Sequence, residues 1–207
     1  MSAGQLNRID PAGPAEQDLT NPAFPAYNFD MIDGVSYQID LTQPARYNRD
    51  GKPVAPQAHR ITSLQYQGKP IDDAARLVVV TNNYRAPGGG SFPGLDGKTI
   101  VMDAPDENRE AVIQHLRSPG GRDNSTSSGA SGSTSSSTSS STSGSTGVSA
   151  GGGINPSADN HWRILPVAGI KLRFESGAGA IVHLPRYPQI SLIKDNGNGS
   201  ALFELTP

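Results

Sequence analysis

Asn82, Asn83, Tyr84 and Arg85, followed by Pro87 and Gly88-Gly89-Gly90, are the residues whose types and spacing best suit chemistry. That chemistry is recognition rather than bond making. A tyrosine ring offers a flat apolar face, and the two amides each carry donors and an acceptor. Glycines lack a Cβ, so their backbone can take positive φ and come close to a ligand. Aromatic faces with amides suit a nucleobase, since stacking contributes on the order of 1–3 kcal/mol per base. Phe29 is a second candidate ring, lying just upstream of an Asp33-Gly34 turn where a side chain can be presented. Its other reading is an ordinary core phenylalanine. The glycine run likewise has a plainer reading, a surface turn after a strand. The pattern leaves both open.

Groups that make or break bonds are not assembled in the sequence. The four histidines, His59, His115, His161 and His183, show no metal-ligand spacing on one element. There is no serine-centred elbow and no Walker-type phosphate loop. Gly88-Gly89-Gly90 does not fit a dinucleotide fingerprint. Asp72 and Asp73 are adjacent, so an extended backbone splays them to opposite sides.

The elements that must position the recognition residues follow from the patterning. Leu77-Val78-Val79-Val80 is a continuous apolar run, which predicts a strand buried on both faces and delivering Tyr84 at its end. Val35, Tyr37, Ile39 and Leu41 alternate with polar residues and predict a half-buried strand. Ile61 to Tyr66, Thr99 to Met102 and Ile170 to Phe174 read as further strands. Ile190 to Lys194 and Ala201 to Leu205 flank a Gly/Asn turn and predict a hairpin. The clearest helix is Pro105 to Arg117. Asp106 and Glu107 suit its first turn, and Ala111, Val112, Ile113 and Leu116 form an apolar stripe. Residues 1 to about 26 read as loop, and Trp162 as a core or edge packing residue.

The chain has 207 residues and a formal net charge of −2, so no polyanionic nucleic acid or acidic membrane is indicated as a partner. It has no cysteine, which excludes disulfides and thiolate chemistry. No apolar run reaches the roughly 20 residues that span a bilayer, and the first residues lack the layout of a signal peptide. Read alone, that predicts a cytoplasmic chain. Residues 124–153 are almost entirely Ser, Thr and Gly, composition that cannot make a core. The domain expectation is therefore one domain in two parts, 1–123 and 154–207, interrupted by this insertion.

Several segments together resemble the C-terminal domain of bacterial 2′,3′-cyclic-nucleotide 2′-phosphodiesterase/3′-nucleotidases, in the 5′-nucleotidase superfamily. They are residues 27–35, 40–47 and 81–86 with Gly88-Gly89, extended by 105–109 and 158–163. The similarity covers nearly everything except the Ser/Thr/Gly tract. It implies an α+β fold with a mixed sheet and a few helices. It implies a periplasmic two-domain enzyme whose N-terminal metallophosphoesterase domain holds two divalent metals and hydrolyses the ester. The C-terminal domain clamps the nucleoside between two rings, one matched by Tyr84. In 5′-nucleotidases the other falls where Phe29 aligns. In the cyclic-phosphodiesterase branch the resemblance leaves open a partner ring outside this chain.

The expectation is thus a nucleoside- or nucleotide-recognising domain, N-terminally truncated, without catalytic groups or cofactor of its own. Its substrate-binding residues are Tyr84, Phe29, Asn82, Asn83, Gly88 and Gly89. The partner protein it implies is a separately encoded metallophosphoesterase domain. Gly90 stands where many 5′-nucleotidases have aspartate, which favours the cyclic-phosphodiesterase branch. A stand-alone nucleoside- or carbohydrate-binding module and a non-functional fragment are the alternatives.

Overall fold

The computed structural model describes residues 2–105, 107–117 and 160–206. The expected insertion at 124–153 lies outside them. The chain divides into two units, one of Met1–Val101 with Asn160–Pro207 and one of Met102–Asp159.

The larger unit is α+β in character, with two four-stranded mixed sheets and short 3-10 turns. The first sheet has the order β4-β3-β2-β5, from β2 (Val35–Ile39), β3 (Ile61–Tyr66), β4 (Lys69–Pro70) and β5 (Trp162–Ile164). β2 pairs antiparallel with β3 and parallel with β5. The second has the order β1-β6-β8-β7, from β1 (Glu16–Asp18), β6 (Lys171–Gly177), β7 (Ile190–Asp195) and β8 (Ser200–Leu205). The predicted terminal hairpin is the β7–β8 pair, in register Leu192 to Phe203. Gly197 and Gly199 take φ of +71° and +88° in its turn.

The core lies where the amino-terminal segment threads between the sheets. Leu6, Ile9, Leu19, Ile39, Leu41, Ile170 and Leu172 form one buried cluster. Ile9 and Leu41 are fully enclosed, and the Ile9 N–H donates to the Leu41 carbonyl at 2.8 Å. Burying side chains of this size contributes about 1.5–3 kcal/mol each. Arg60 staples the same region from inside. Its Nε donates to the Gln43 carbonyl and its Nη1 to the Leu6 carbonyl, both at 2.7 Å. Burial pushes the Arg60 guanidinium down to about 10, against the pull of Asp40, so it remains charged at neutral pH.

Four expectations are corrected. Leu77–Val80 is not a buried strand: it joins neither sheet, and Val80 is 94% exposed. A strand needs a neighbour with a free edge. β4 is only two residues long, and no described strand lies beside the run. Thr99 to Met102 forms no strand for the same reason, and Val101 and Met102 are both 79% exposed. The amino-terminal residues are not mere loop, since Leu6, Ile9 and Leu19 supply core and 16–18 supply β1. The helix α1 begins at Asn108 rather than Pro105, and none of its residues is buried. Its stripe is exposed at Val112 and Leu116, because the described residues of its unit contain no second element to pack on. Asp106 lies outside the described residues.

Candidate recognition site

Asn82 starts the loop. Its Oδ1 accepts the Arg85 N–H at 2.8 Å and the Tyr84 N–H at 3.1 Å, a local cap that starts the turn. The Asn82 carbonyl also accepts from Ala86 N–H at 3.1 Å. The turn then closes in layers. Gly89 N–H donates to the Tyr84 carbonyl at 2.9 Å, and Gly97 N–H to the Ala86 carbonyl at 3.2 Å.

Glycine is required here by the protein's own packing. A Cβ on Gly89 would lie 2.7 Å from the Tyr84 ring and collide with the Tyr84 carbonyl. Gly90 has φ +79°, and a Cβ there would collide with the Arg85 guanidinium. The loop thus folds around Tyr84 and Arg85.

Arg85 is the hub, a role that sequence reading did not assign to it. It is buried, and its fork grips a second segment far away in sequence. Nε pairs with Asp30 Oδ2 at 3.0 Å, and Nη2 reaches Asp30 Oδ1 at 3.4 Å. Nη1 donates to Asn28 Oδ1 at 2.9 Å, and Nη2 to the Tyr27 carbonyl at 3.1 Å. Nη1 also reaches the Gly89 carbonyl at 3.3 Å. The guanidinium lies 4.4 Å from the Phe92 ring centroid and 5.6 Å from that of Tyr84. Such planar, bidentate and stacked contacts are what arginine offers and lysine does not. The signal was present: an arginine right after the aromatic residue, and Asn28 and Asp30 alternating around Phe29.

The predicted site residues divide accordingly. Tyr84 is 61% exposed, an aromatic face carried on a braced loop. Asn83 is exposed beside it, while Asn82 directs its acceptor to the backbone. Gly89 shapes the loop around the ring, while Gly88, at φ +113°, passes close to the Leu95 carbonyl. Phe29 turns away from the grip made by its neighbours. Its ring lies 5.8 Å from that of Trp162 and packs against the core. No ring pair among the described residues joins Phe29 to Tyr84; Trp162 stacks in turn on Tyr37 at 6.5 Å.

A cavity of about 160 Å³ lies apart from Tyr84, lined by residues including Arg46, Tyr47, His59 and Arg60. Among the described residues, no group of three or more histidines or carboxylates is arranged to hold a metal ion. The described residues thus do not fit a metal pair, which the resemblance places in a separate N-terminal domain.

Residues 13–97 match the family model described as 5′-nucleotidase, C-terminal domain. That span covers β1 to β4 and the whole Arg85 loop, ending at the glycine that closes it. Residues 13–97 belong to the 5′-nucleotidase C-terminal domain family. Curated relatives extend the likeness of this 5′-nucleotidase C-terminal domain over the rest of the chain. The trifunctional nucleotide phosphoesterase protein YfkN of Bacillus subtilis is 38% identical over 206 residues, 99% of this chain and 12% of its own length. The 2′,3′-cyclic-nucleotide 2′-phosphodiesterase/3′-nucleotidase of Haemophilus influenzae is 37% identical, over 84% of this chain and 23% of its own. Its Salmonella typhimurium counterpart is 39% identical, over 86% of this chain and 24% of its own. The chain thus spans less than a quarter of the length of these three relatives. No solved structure matches it.

Proposed function

We propose that the chain recognises the nucleoside of a nucleotide substrate for a metal-dependent phosphoesterase of the 2′,3′-cyclic-nucleotide 2′-phosphodiesterase/3′-nucleotidase type. One observation carries this reading: Tyr84 presents an open aromatic face on a loop that Arg85 locks to Tyr27–Asp30. An ordered ring loses little freedom when a base stacks on it, which is how preorganisation raises affinity. Tyr84 stacks the base and Asn83 addresses its edge. Asn82, Gly88 and Gly89 hold the ring in place. Phe29, anchored on Trp162, steadies the segment that Arg85 grips.

Hydrolysis, in this reading, is performed by a metallophosphoesterase portion holding two divalent metals outside the residues of this chain, and the working compartment is the periplasm. The relatives' names and the short share of their length that the chain spans support it. Titrating adenosine into wild type and Tyr84→Ala by calorimetry tests the recognition role. Affinity should fall by about 10-fold or more, as expected for one lost stack. Equal affinity of the two proteins would sink the assignment.

A further inference from the structure

We propose that loop 47–53 is a second brace of the recognition loop, and that its Gly51 is a positioning residue acting on Tyr84 through Ser91 and Arg85. What the ring binds is taken from the nucleoside reading above.

Loop 47–53 is tightly stitched. Tyr47 and Pro53 form an antiparallel bridge across its neck. Asn48 N–H donates to the Lys52 carbonyl at 2.9 Å, and Gly51 N–H to the Asn48 carbonyl at 3.1 Å. The Asn48 side chain closes the tip, its Oδ1 accepting the Lys52 N–H at 2.9 Å and the Asp50 N–H at 3.0 Å. An asparagine that bonds to the backbone of its own turn holds that turn in shape. Gly51 takes φ +74°, which glycine adopts without steric cost.

This tip meets the recognition loop backbone to backbone. A Cβ on Gly51 would collide with the Ser91 carbonyl and stand 3.5 Å from Ser91 Cβ. Ser91 is the strained residue of the loop, at φ +57° without being glycine. Such a conformation persists only where the surroundings hold it. Ser91 N–H is tied to the Gly88 carbonyl at 3.2 Å. Both of its chain neighbours lie against the Arg85 guanidinium. The Phe92 ring centroid is 4.4 Å from it, and a Cβ on Gly90 would collide with it. Gly89 then connects Arg85 to the ring. Its carbonyl accepts from Arg85 Nη1 at 3.3 Å, and its N–H donates to the Tyr84 carbonyl at 2.9 Å. Close-packed groups transmit a displacement rather than absorb it, so a push at Ser91 reaches Arg85 and Tyr84.

Gly68 supplies a matched comparison. It also has φ +74°, but a Cβ there would meet nothing within 4 Å. Gly51→Ala and Gly68→Ala therefore share the left-handed penalty and differ in the contact with Ser91.

Hydrogen exchange with mass spectrometry and adenosine calorimetry, both on the full chain, test the brace. In Gly51→Ala the amides of 84–97 should exchange about 10-fold faster than in wild type, while those of β8 stay unchanged. Asn48→Ala, which removes the acceptor that closes the tip, should act in the same direction. Gly68→Ala should leave 84–97 as in wild type. Adenosine binding should weaken about 3-fold or more in Gly51→Ala and keep its wild-type strength in Gly68→Ala. Equal exchange of 84–97 in the two glycine variants overturns the proposal. So does faster exchange that extends to β8, which would reduce the contact to general stability. Faster exchange at 84–97 with wild-type affinity overturns the positioning of Tyr84. The nucleoside reading fails separately, when Tyr84→Ala binds adenosine as wild type does, and the exchange rates alone then decide the brace.

Discussion

Ala201–Leu205 and Leu77–Val80 are both short apolar runs, yet they live in opposite surroundings. β8 lies between β6 and β7, with ladder partners on either side. Its Phe203 is 1% exposed and stacks at 5.6 Å on Phe174 across the ladder. Val80 is 94% exposed and has no ladder partner among the described residues. Burial here follows from position in a ladder, not from hydrophobicity. Two neighbours supply the hydrogen bonds and align side chains into a shared face. Without them, an equally apolar sequence stays open to water.

The contrast can be broken most forcefully from the buried side. Phe203→Ala should destabilise the chain by about 3–5 kcal/mol in urea unfolding, the range for an aromatic cavity in a packed core. A loss below about 1 kcal/mol would mean β8 is not the centre of its sheet. Arg60→Met comes next, at about 3 kcal/mol, because the carbonyls of Leu6 and Gln43 would lose a charged donor inside the core.

Arg85→Met should cost about 2 kcal/mol, less than Arg60→Met because its partner Asp30 is 41% exposed and screened by water. It should also weaken adenosine binding several-fold, whereas Phe203→Ala should leave binding by the remaining folded fraction unchanged. Identical affinity for Arg85→Met and wild type would separate the loop brace from recognition. The smallest effect is expected at the other pole of the comparison. Val80→Ser should change the stability of the isolated chain by no more than about 0.5 kcal/mol, as for an exposed position. A loss near that of Phe203→Ala would show that the run is packed after all.

Much of the fold was legible. β2, β3 and the β7–β8 hairpin appear where alternation and turn residues placed them, since each closes with a partner near in sequence. The parallel pairings of β1 with β6 and of β2 with β5 were not legible, because they join segments more than a hundred residues apart through short strands. At the site, Tyr84 and its glycines stood out by type. The bracing role of Arg85 did not, because it depends on Asn28 and Asp30 arriving at hydrogen-bond distance. Phe29 was left between two readings, and its contact with Trp162 came from the parallel β2–β5 pairing that brings residue 162 to the first sheet.

The sequence by itself determined which local pieces could form, because alternation, caps and positive-φ glycines act over a few residues. It also determined the family, through motifs that survive without their surroundings. Only the tertiary structure decided which apolar runs are core. Burial and ladder pairing are properties of neighbours, and the neighbours of Ile9 and Phe203 are present where those of Val80 are not.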